Sequence, residues 1–263
     1  MSGVVGPKIS RRFVRVWQRN FSVYRRTWKI SFLPPLLEPM LYLLAFGVGL
    51  SALVGEFSFR GQAVSYVRFI APALLAVAIM YNAFFETSYA SFVRMYYQKT
   101  FDAILATPLT LDEIITGEIA WAATKSLIAT ALMQAVISLF GLISYPGGLL
   151  LLPLALLGGL AFAALGMLCT SLVPNIETFN VPIFLLITPM FLFSGTFFPL
   201  DQLPAWAQTL AQLLPLTHLV ALVRAMTMGF FEPALLWHLG YLLLFGLVLF
   251  PLSLARMRRR LIR

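Results

Sequence analysis

Charged residues and cysteine are scarce in this chain of 263 residues. Asp, Glu, Lys and Arg make up 11% of it, whereas about a quarter is usual in soluble domains. The single cysteine, Cys169, excludes a disulfide framework or a cysteine-rich metal site. Hydrophobic residues make up 60%, and several continuous apolar runs reach the roughly 20 residues that a helix needs to cross a bilayer. The composition therefore predicts an all-α membrane protein with several spans.

Catalytic motifs are missing as well. The chain contains no G-x-x-x-x-G-K-[ST] phosphate loop and no H-E-x-x-H pair. The two histidines, His218 and His238, lie far apart in the sequence without a nearby acidic cluster, so we expect no metal site. We therefore predict a chain with no catalytic residue and no cofactor of its own.

Positive charge is concentrated at the two ends of the chain. The net charge is +9, with eight Lys or Arg residues from Lys8 to Lys29 and five from Arg256 to Arg263. Such an excess is typical of the cytoplasmic side of a membrane protein, so we expect both termini there and no nucleic-acid binding. Within residues 1–30, the apolar residues of Ile9–Trp28 recur at helical spacing between arginines. This pattern predicts an amphipathic helix lying in the cytoplasmic interface.

The apolar runs predict six transmembrane helices, which together form one transmembrane domain over residues 31–263. The six are Phe32–Val54, Phe69–Ser91, Ile114–Leu142, Leu149–Leu172, Phe179–Phe198 and Leu235–Met257. An even number places both termini on one side, in agreement with the two basic ends. Before the last span, Phe197–Pro215 is too apolar for an ordinary loop and is interrupted by prolines. We predict a re-entrant helical segment there, on the outer side.

Four charged residues fall inside the predicted spans: Glu38, Glu86, Glu118 and Lys125. Charges at this depth are costly and are usually paired or functional. Glu118 and Lys125 are two turns apart on one helix face, at about 10 Å, a gap that the lysine side chain or another helix could close. Structural pairing and a role in transport both remain open for these residues.

Six aromatic residues are candidates to line or gate a path for an amphipathic substrate. They are Tyr42, Phe46, Phe191, Phe193, Phe197 and Phe198. Packing against neighbouring helices or lipid is the alternative, and it is the commoner role of such side chains.

The segment Gln98–Asp112, QKTFDAILATPLTLD, is a short polar stretch between the second and third predicted spans. The charge distribution places it on the cytoplasmic side. A compact loop of this kind, with acidic, basic, aromatic and proline residues, is suited to docking a partner protein.

The order of these segments resembles that of the permease subunits of type-2 ABC exporters. The resemblance rests on EPMLYLLAFGVGL in the first span, QKTFDAILATPLTLDEIITGE after the second, and FFPLDQLPAWAQTLAQLLPLTHLVALVR before the last. Within this family the chain looks most similar to the nodulation protein J group, which exports lipo-chitooligosaccharides. The likeness covers nearly the whole chain.

The resemblance implies a homodimer in the bacterial inner membrane that binds two copies of a separate ATP-binding subunit, which holds Mg-ATP. It implies a coupling helix around Thr100–Thr107 that contacts this subunit. The apolar contacts would come from Phe101, Ile104 and Leu105, and the polar ones from Lys99, Thr100, Asp102 and Thr107. It also implies a substrate path formed by the first and fifth spans of each copy.

The leading hypothesis is therefore a permease that moves an amphipathic, lipid-linked oligosaccharide or related lipid outward. A drug or antibiotic efflux permease of the same family is the alternative. A membrane-embedded lipid enzyme and an ion-coupled carrier are two further hypotheses from other classes. Activity of the isolated chain without ATP would favour the enzyme, and transport driven by a proton gradient would favour the carrier.

Overall fold

The computed structural model describes residues 9–50, 55–59 and 61–261, and this part of the chain is almost entirely helical. Helix α1 is Phe13–Leu44 and continues as a π-helical turn, Ala45–Leu50. It runs without a break through the boundary that we predicted near residue 30, so the amphipathic segment and the start of the first predicted span are one helix. Prolines in such helices are tolerated where neighbouring helices and local π turns satisfy the freed backbone groups.

A β-hairpin and a long helix follow. Strands β1 (Glu56–Phe59) and β2 (Gln62–Ser65) pair antiparallel, with Glu56 opposite Ser65. Helix α2, Tyr66–Tyr97, extends well past the predicted end at Ser91. It contains two π-helical segments, Glu86–Ala90 and Val93–Tyr97. Such segments often occur at functional positions, because they rotate the following side chains relative to a regular helix.

The polar segment between the second and third spans folds into a short helix and the start of a long one. Lys99 has a left-handed backbone conformation, φ 53°, and separates α2 from α3, Thr100–Leu105. Helix α4, Leu111–Leu139, starts with a capping box. The Thr110 hydroxyl accepts from the Glu113 backbone N–H, and the Glu113 carboxylate accepts from that of Thr110 at 2.8 Å. This cap fixes where the loop ends and the span begins.

Helix α5, Gly147–Leu172, packs against α2, α4 and α9 and lies at the centre of the bundle. A Cβ atom at Gly166 would clash with the Thr87 hydroxyl and the Phe84 carbonyl, so α2 and α5 can approach this closely only because residue 166 is glycine.

Helix α6, Glu177–Phe193, ends before the predicted limit at Phe198. The chain leaves the helix at Ser194 and turns at Gly195, whose φ is +73°. A left-handed residue cannot continue a right-handed helix, which accounts for the shorter element.

The re-entrant prediction needs a correction in its extent. Helices α7, Ala205–Gln212, and α8, Pro215–Met228, form a pair bent by 86°. We predicted the re-entrant segment to end at Pro215, but its second helix, α8, begins there and continues to Met228, mostly buried. Pro215 suits the first turn of a helix, and Gly229, with φ +80°, suits its end, so α8 has clear boundaries despite being too short for a span.

The last helix is α9, Leu235–Leu261, which starts at the predicted position and runs a turn further. Arg258 near its end pairs with Asp112 at the start of α4. In the described part of the chain, α2, α4, α5 and α9 are long and apolar enough to cross a membrane, and the bent pair α7–α8 would be a fifth span. The count of six remains a prediction.

The bundle has two ends that are used below. The "α3 end" is where α2 stops and α3 lies, and the "hairpin end" is where β1 and β2 lead into α2. The loop after α6 belongs to the hairpin end, since the Tyr66 hydroxyl donates to the Phe197 carbonyl at 3.2 Å.

Candidate functional site

A network of charged side chains is buried at the α3 end, and Arg94 is at its centre. Arg94 Nη1 donates to Glu86 Oε1 at 2.9 Å, and its Nε donates to Glu118 Oε2, also at 2.9 Å. Arg94 and Glu86 belong to the two π segments of α2, whereas Glu118 is on α4. A planar guanidinium with several donors is suited to bridging two carboxylates in this way.

The remaining carboxylate oxygens also have partners. Lys125 Nζ lies 2.7 Å from Glu86 Oε2, and Trp121 Nε1 donates to Glu86 Oε1 at 3.1 Å. Asn20 Nδ2, from α1, donates to Glu118 Oε1 at 2.7 Å. Each carboxylate thus has an ionic partner and neutral or ionic hydrogen bonds, as a charge buried at this depth requires.

Three of the four predicted intramembrane charges therefore meet in one network, but with different partners from those we considered. Lys125 pairs with Glu86 across two helices, and Glu118 pairs with Arg94. The side chain of Glu38 lies outside the part of the chain that the structure describes. Sequence reasoning missed Arg94 as a network residue because it follows the predicted end of the second span.

The residues at the start of α1 are hydrogen-bonded to α4 and to the loop between α3 and α4. The Ser10 hydroxyl donates to Glu113, and Arg12 Nη1 donates to the Pro108 carbonyl at 3.0 Å. Further along, Trp17 Nε1 donates to the Thr124 hydroxyl at 2.9 Å. The amphipathic segment is thus packed on the helical bundle, in addition to any contact with a membrane surface.

Helix α3 has an inward and an outward face. Phe101 is only 1% exposed, so its ring belongs to the interior of this chain rather than to an exposed contact surface. Leu105 is 41% exposed, and Ile104 is half-buried. This corrects the expected role of Phe101 as an anchor for a partner.

The outward face of α3 and of the residues after it mixes polar side chains with small or apolar ones, among them Ala103, Leu105 and Ala106. The side chains of Lys99 and Asp102 are both 67% exposed and lie 3.9 Å apart, and Thr107 is exposed as well. Thr100 is half-buried, and its hydroxyl accepts a hydrogen bond from Arg19 Nη2 at 3.4 Å. Thr100 therefore connects α3 to α1.

A cavity of about 810 Å³ opens beside the charge network, between α1, α2, α4 and α6. We call it the polar cavity. Arg19, Tyr24, Asn82, Lys125 and Thr188 are among the polar residues of its wall, and Tyr81, Phe85, Tyr89 and Trp121 among the aromatic ones. This size and mixture fit a small amphipathic molecule, whose polar part would meet the charged wall.

Aromatic rings connect the polar cavity with the hairpin end. Phe46 contacts Phe197 at 5.6 Å between ring centroids, Phe197 contacts Phe191 at 5.0 Å, and Phe191 contacts Tyr81 at 5.9 Å. Tyr42 stacks on Phe46 at 6.0 Å. Four of the six aromatic residues predicted to line a path therefore form one continuous contact series.

The other two predicted path residues are placed differently. Phe193 is exposed on α6, and Phe198 is half-buried in the loop that follows. Neither makes a ring contact among the residues that the structure describes. They stay candidates for the path without support from the ring series.

A second polar group lies at the hairpin end. Arg224 of α8 donates to the Gly195 carbonyl at 2.9 Å and the Phe69 carbonyl at 3.2 Å. Its guanidinium also lies 3.8 Å from the centre of the Phe69 ring. Sequence reasoning did not single out Arg224, because it lies outside the predicted spans.

The two histidines meet at the same end. Their Nδ1 atoms are 2.8 Å apart, and His218 Nε2 lies 2.8 Å from the Gln212 carbonyl. Within the residues that the structure covers, no group of three His, Cys, Asp or Glu side chains could hold a metal ion. The two side chains therefore form a hydrogen bond that connects α8 to α9.

The sequence is similar to known membrane transport proteins. Residues 11–228 match the ABC-2 type transporter family. The chain is 41% identical over 257 residues to Nodulation protein J of Rhizobium leguminosarum bv. trifolii, covering 98% of this chain and 97% of that protein. It is 39% identical over 249 residues to Nodulation protein J of Rhizobium meliloti (strain 1021), covering 95% and 94%. Identity to the inner membrane transport permease YadH of Escherichia coli (strain K12) is 24% over 231 residues, covering 88% of each.

Proposed function

Because the chain belongs to the ABC-2 type transporter family, we propose that it is the permease of an ATP-driven exporter of an amphipathic, lipid-linked oligosaccharide or related lipid. The chain is a membrane transport subunit and not an enzyme, which removes the lipid-enzyme hypothesis. Family membership implies a separate ABC ATP-binding partner. A homodimer with two copies of that partner, each binding Mg-ATP, and both termini in the cytoplasm of the inner membrane belong to the proposal.

The observation that carries the proposal is the direct connection between α3 and the polar cavity. Arg19 lies in the cavity wall and donates to Thr100 of α3. Arg94 lies in the same wall, on the last turns of α2 before α3 begins. A displacement of α3 by a docked ATPase would thus reach the cavity through two side chains.

This arrangement suits a transport cycle driven from the α3 end. Closure of two ATP-binding subunits would move α3 together with the attached ends of α2 and α4, since only short loops separate these helices. Rigid-body tilting of helices around a central site is a common way to alternate access. The polar cavity would then receive the cargo, and the aromatic series would form part of its onward path.

The mixture of side chains supports the class of cargo. Tyrosine and tryptophan rings beside hydrogen-bonding groups fit an oligosaccharide, and apolar side chains of the same wall, such as Ile183 and Ile187 of α6, fit an acyl chain. The resemblance to the nodulation protein J group points to the same class.

The test is a double substitution on the exposed face of α3, Asp102→Arg with Leu105→Asp. Full-length chain and its ATP-binding partner would be reconstituted in liposomes, and the lipid-stimulated ATPase rate and outward lipid movement would be measured. We expect both to fall at least ten-fold, because a charge reversal and a buried polar group at an interface centre each remove a large part of the binding energy. The midpoint of thermal unfolding should stay unchanged, since both positions are exposed.

Asp201→Arg is the matched control, because it reverses an exposed aspartate in the loop before α7, at the hairpin end. It should leave coupling intact. Normal ATP-driven lipid movement by the α3 double variant would contradict the docking role of this helix.

A further inference from the structure

We propose that the polar cavity binds the anionic head of an amphipathic molecule, a phosphate, sulfate or carboxylate, with Arg19 as its main counter-ion. This deepens the proposed function and rests on it to the extent that the bound molecule is the exported cargo. The argument starts from the balance of charges in the cavity wall.

The cavity wall and the network behind it hold one more cation than they hold carboxylates. Glu86 and Glu118 are the two carboxylates, and Arg94 and Lys125 are their ionic partners. Arg19 is the third cation, and it too lines the cavity. The set therefore carries a net positive charge.

Arg19 is held in place by neutral oxygens. Its Nη1 donates to Asn20 Oδ1 at 2.9 Å, and its Nη2 donates to the Thr100 hydroxyl at 3.4 Å. Over residues 9–50, 55–59 and 61–261, no carboxylate oxygen lies within ion-pair distance of Arg19. The Glu118 carboxylate attracts Arg19 without contacting it, so this half-buried guanidinium can still take a direct counter-ion from outside, in a medium that screens charge less than water does.

The neighbouring groups complete an anion site. The Tyr24 and Tyr89 hydroxyls, the Gln98 amide and the Lys125 ammonium line the same cavity. All four can donate hydrogen bonds, and donors to an ionised oxygen are about twice as strong as those between neutral groups. A phosphate or sulfate has enough acceptor oxygens to use several of these donors together with Arg19.

The size of the cavity favours an amphipathic molecule over a free ion. A volume of about 810 Å³ is far larger than an inorganic anion needs, and the wall carries aromatic residues as well as the cations. Phe85 and Tyr81 would contact a sugar ring or the first part of an acyl chain. A neutral head would leave Arg19 without a counter-ion, and a cationic head would be repelled.

The proposal can be tested by calorimetric titration of the full-length protein in phosphatidylcholine nanodiscs. The probe is dodecyl phosphate below its micellar concentration, with inorganic phosphate and dodecyl maltoside as comparisons. We expect saturable binding of dodecyl phosphate, weakened at least ten-fold by Arg19→Gln and only about two- to three-fold by Arg19→Lys, since a charge-assisted contact is lost in the first case and kept in the second.

Arg15→Gln is the matched control, because Arg15 is an exposed arginine one turn earlier on the same helix. It should leave the affinity within two-fold, which separates the cavity from general attraction to a basic surface. Should Arg19→Gln fail to fold, Tyr24→Phe serves instead. It should weaken dodecyl phosphate binding about three-fold and leave dodecyl maltoside binding unchanged, and an unchanged affinity for dodecyl phosphate would count against the site.

Three results would overturn the proposal. The first is that dodecyl phosphate shows no saturable binding. The second is that dodecyl maltoside binds as tightly as dodecyl phosphate and that Arg19→Gln does not change its affinity. The third is that inorganic phosphate binds as tightly as dodecyl phosphate. None of these results would contradict the proposal that the protein takes part in ATP-driven transport. Conversely, anion binding without ATP-driven lipid movement would contradict the proposed function and leave the anion site in place.

Discussion

Two buried arginines, one at each end of the bundle, have different kinds of partner. The Arg94 side chain is 13% exposed and meets the carboxylates of Glu86 and Glu118. Arg224, which is 8% exposed, donates to two backbone carbonyls and stacks on the ring of Phe69. The contacts of Arg94 with the two acids come from side chains on two helices, whereas those of Arg224 include two main-chain carbonyls.

This difference bears on which end can change its shape. Side chains of an ionic network can exchange partners when helices move, because each carboxylate of the Arg94 network has several donors within reach. Backbone carbonyls offer no such exchange, so Arg224 holds the loop after α6 against the start of α2 in one geometry. The α3 end is therefore suited to rearrangement, and the hairpin end is suited to keeping its form.

The largest expected effect is that of Arg94→Met. This change leaves two buried carboxylates without their shared cation, and breaking such a pair usually costs about 3–5 kcal/mol in the free energy of unfolding. Chemical unfolding in detergent, followed by far-ultraviolet circular dichroism, would measure it. Arg94→Lys should recover part of the loss, because it keeps the charge but cannot bridge both acids.

Arg224→Met should have a smaller effect on stability. Hydrogen bonds from a charged donor contribute about 1.5–3 kcal/mol, and the methionine still packs on the Phe69 ring. Limited proteolysis should detect cleavage within residues 194–203, which the arginine now holds in place. Arg68→Met, an exposed arginine at the start of α2, is the control and should change stability by less than about 0.5 kcal/mol. A loss for Arg224→Met as large as that for Arg94→Met would remove the distinction between the two ends.

Lys125→Met should be the mildest of the three. Glu86 keeps Arg94 and Trp121 as partners, and the lysine side chain is more exposed than either arginine, so we expect a loss of about 1 kcal/mol. A double-mutant cycle with Glu86→Gln would measure the coupling between the two side chains. A coupling near zero would mean that Lys125 is a surface charge rather than a member of the network.

Sequence reasoning located most helices and several members of the network, for a simple physical reason. Charges such as Glu86, Glu118 and Lys125 are easy to recognise inside apolar runs, because a charged side chain within a bilayer is costly and therefore rare. Which charges pair is decided by contacts between helices, so Glu118 and Lys125 could not be assigned correctly from their spacing alone.

Other features depended on tertiary structure entirely. Phe101 is an apolar residue in a polar loop. The sequence alone does not show whether such a residue packs in the protein's own core or against a partner. Helix α8 is shorter than a span and contains Arg224, so a search for long apolar runs passes over it. The contact between His218 and His238 joins α8 to α9, and no local pattern in the sequence specifies which helices pack together.

Helix α1 is bonded to α4 near its start, where Asn20 donates to Glu118, and the π-helical turn that follows it contacts the loop after α6 through the rings of Phe46 and Phe197. Its 32 residues, at about 1.5 Å each, make a rod roughly 48 Å long. If this rod turns as a unit about its fastened base, a tilt of about 5° carries the far end through roughly 4 Å, close to the diameter of an alkyl chain. A lever of this length converts a small rotation at the base into a displacement of several ångströms at the tip.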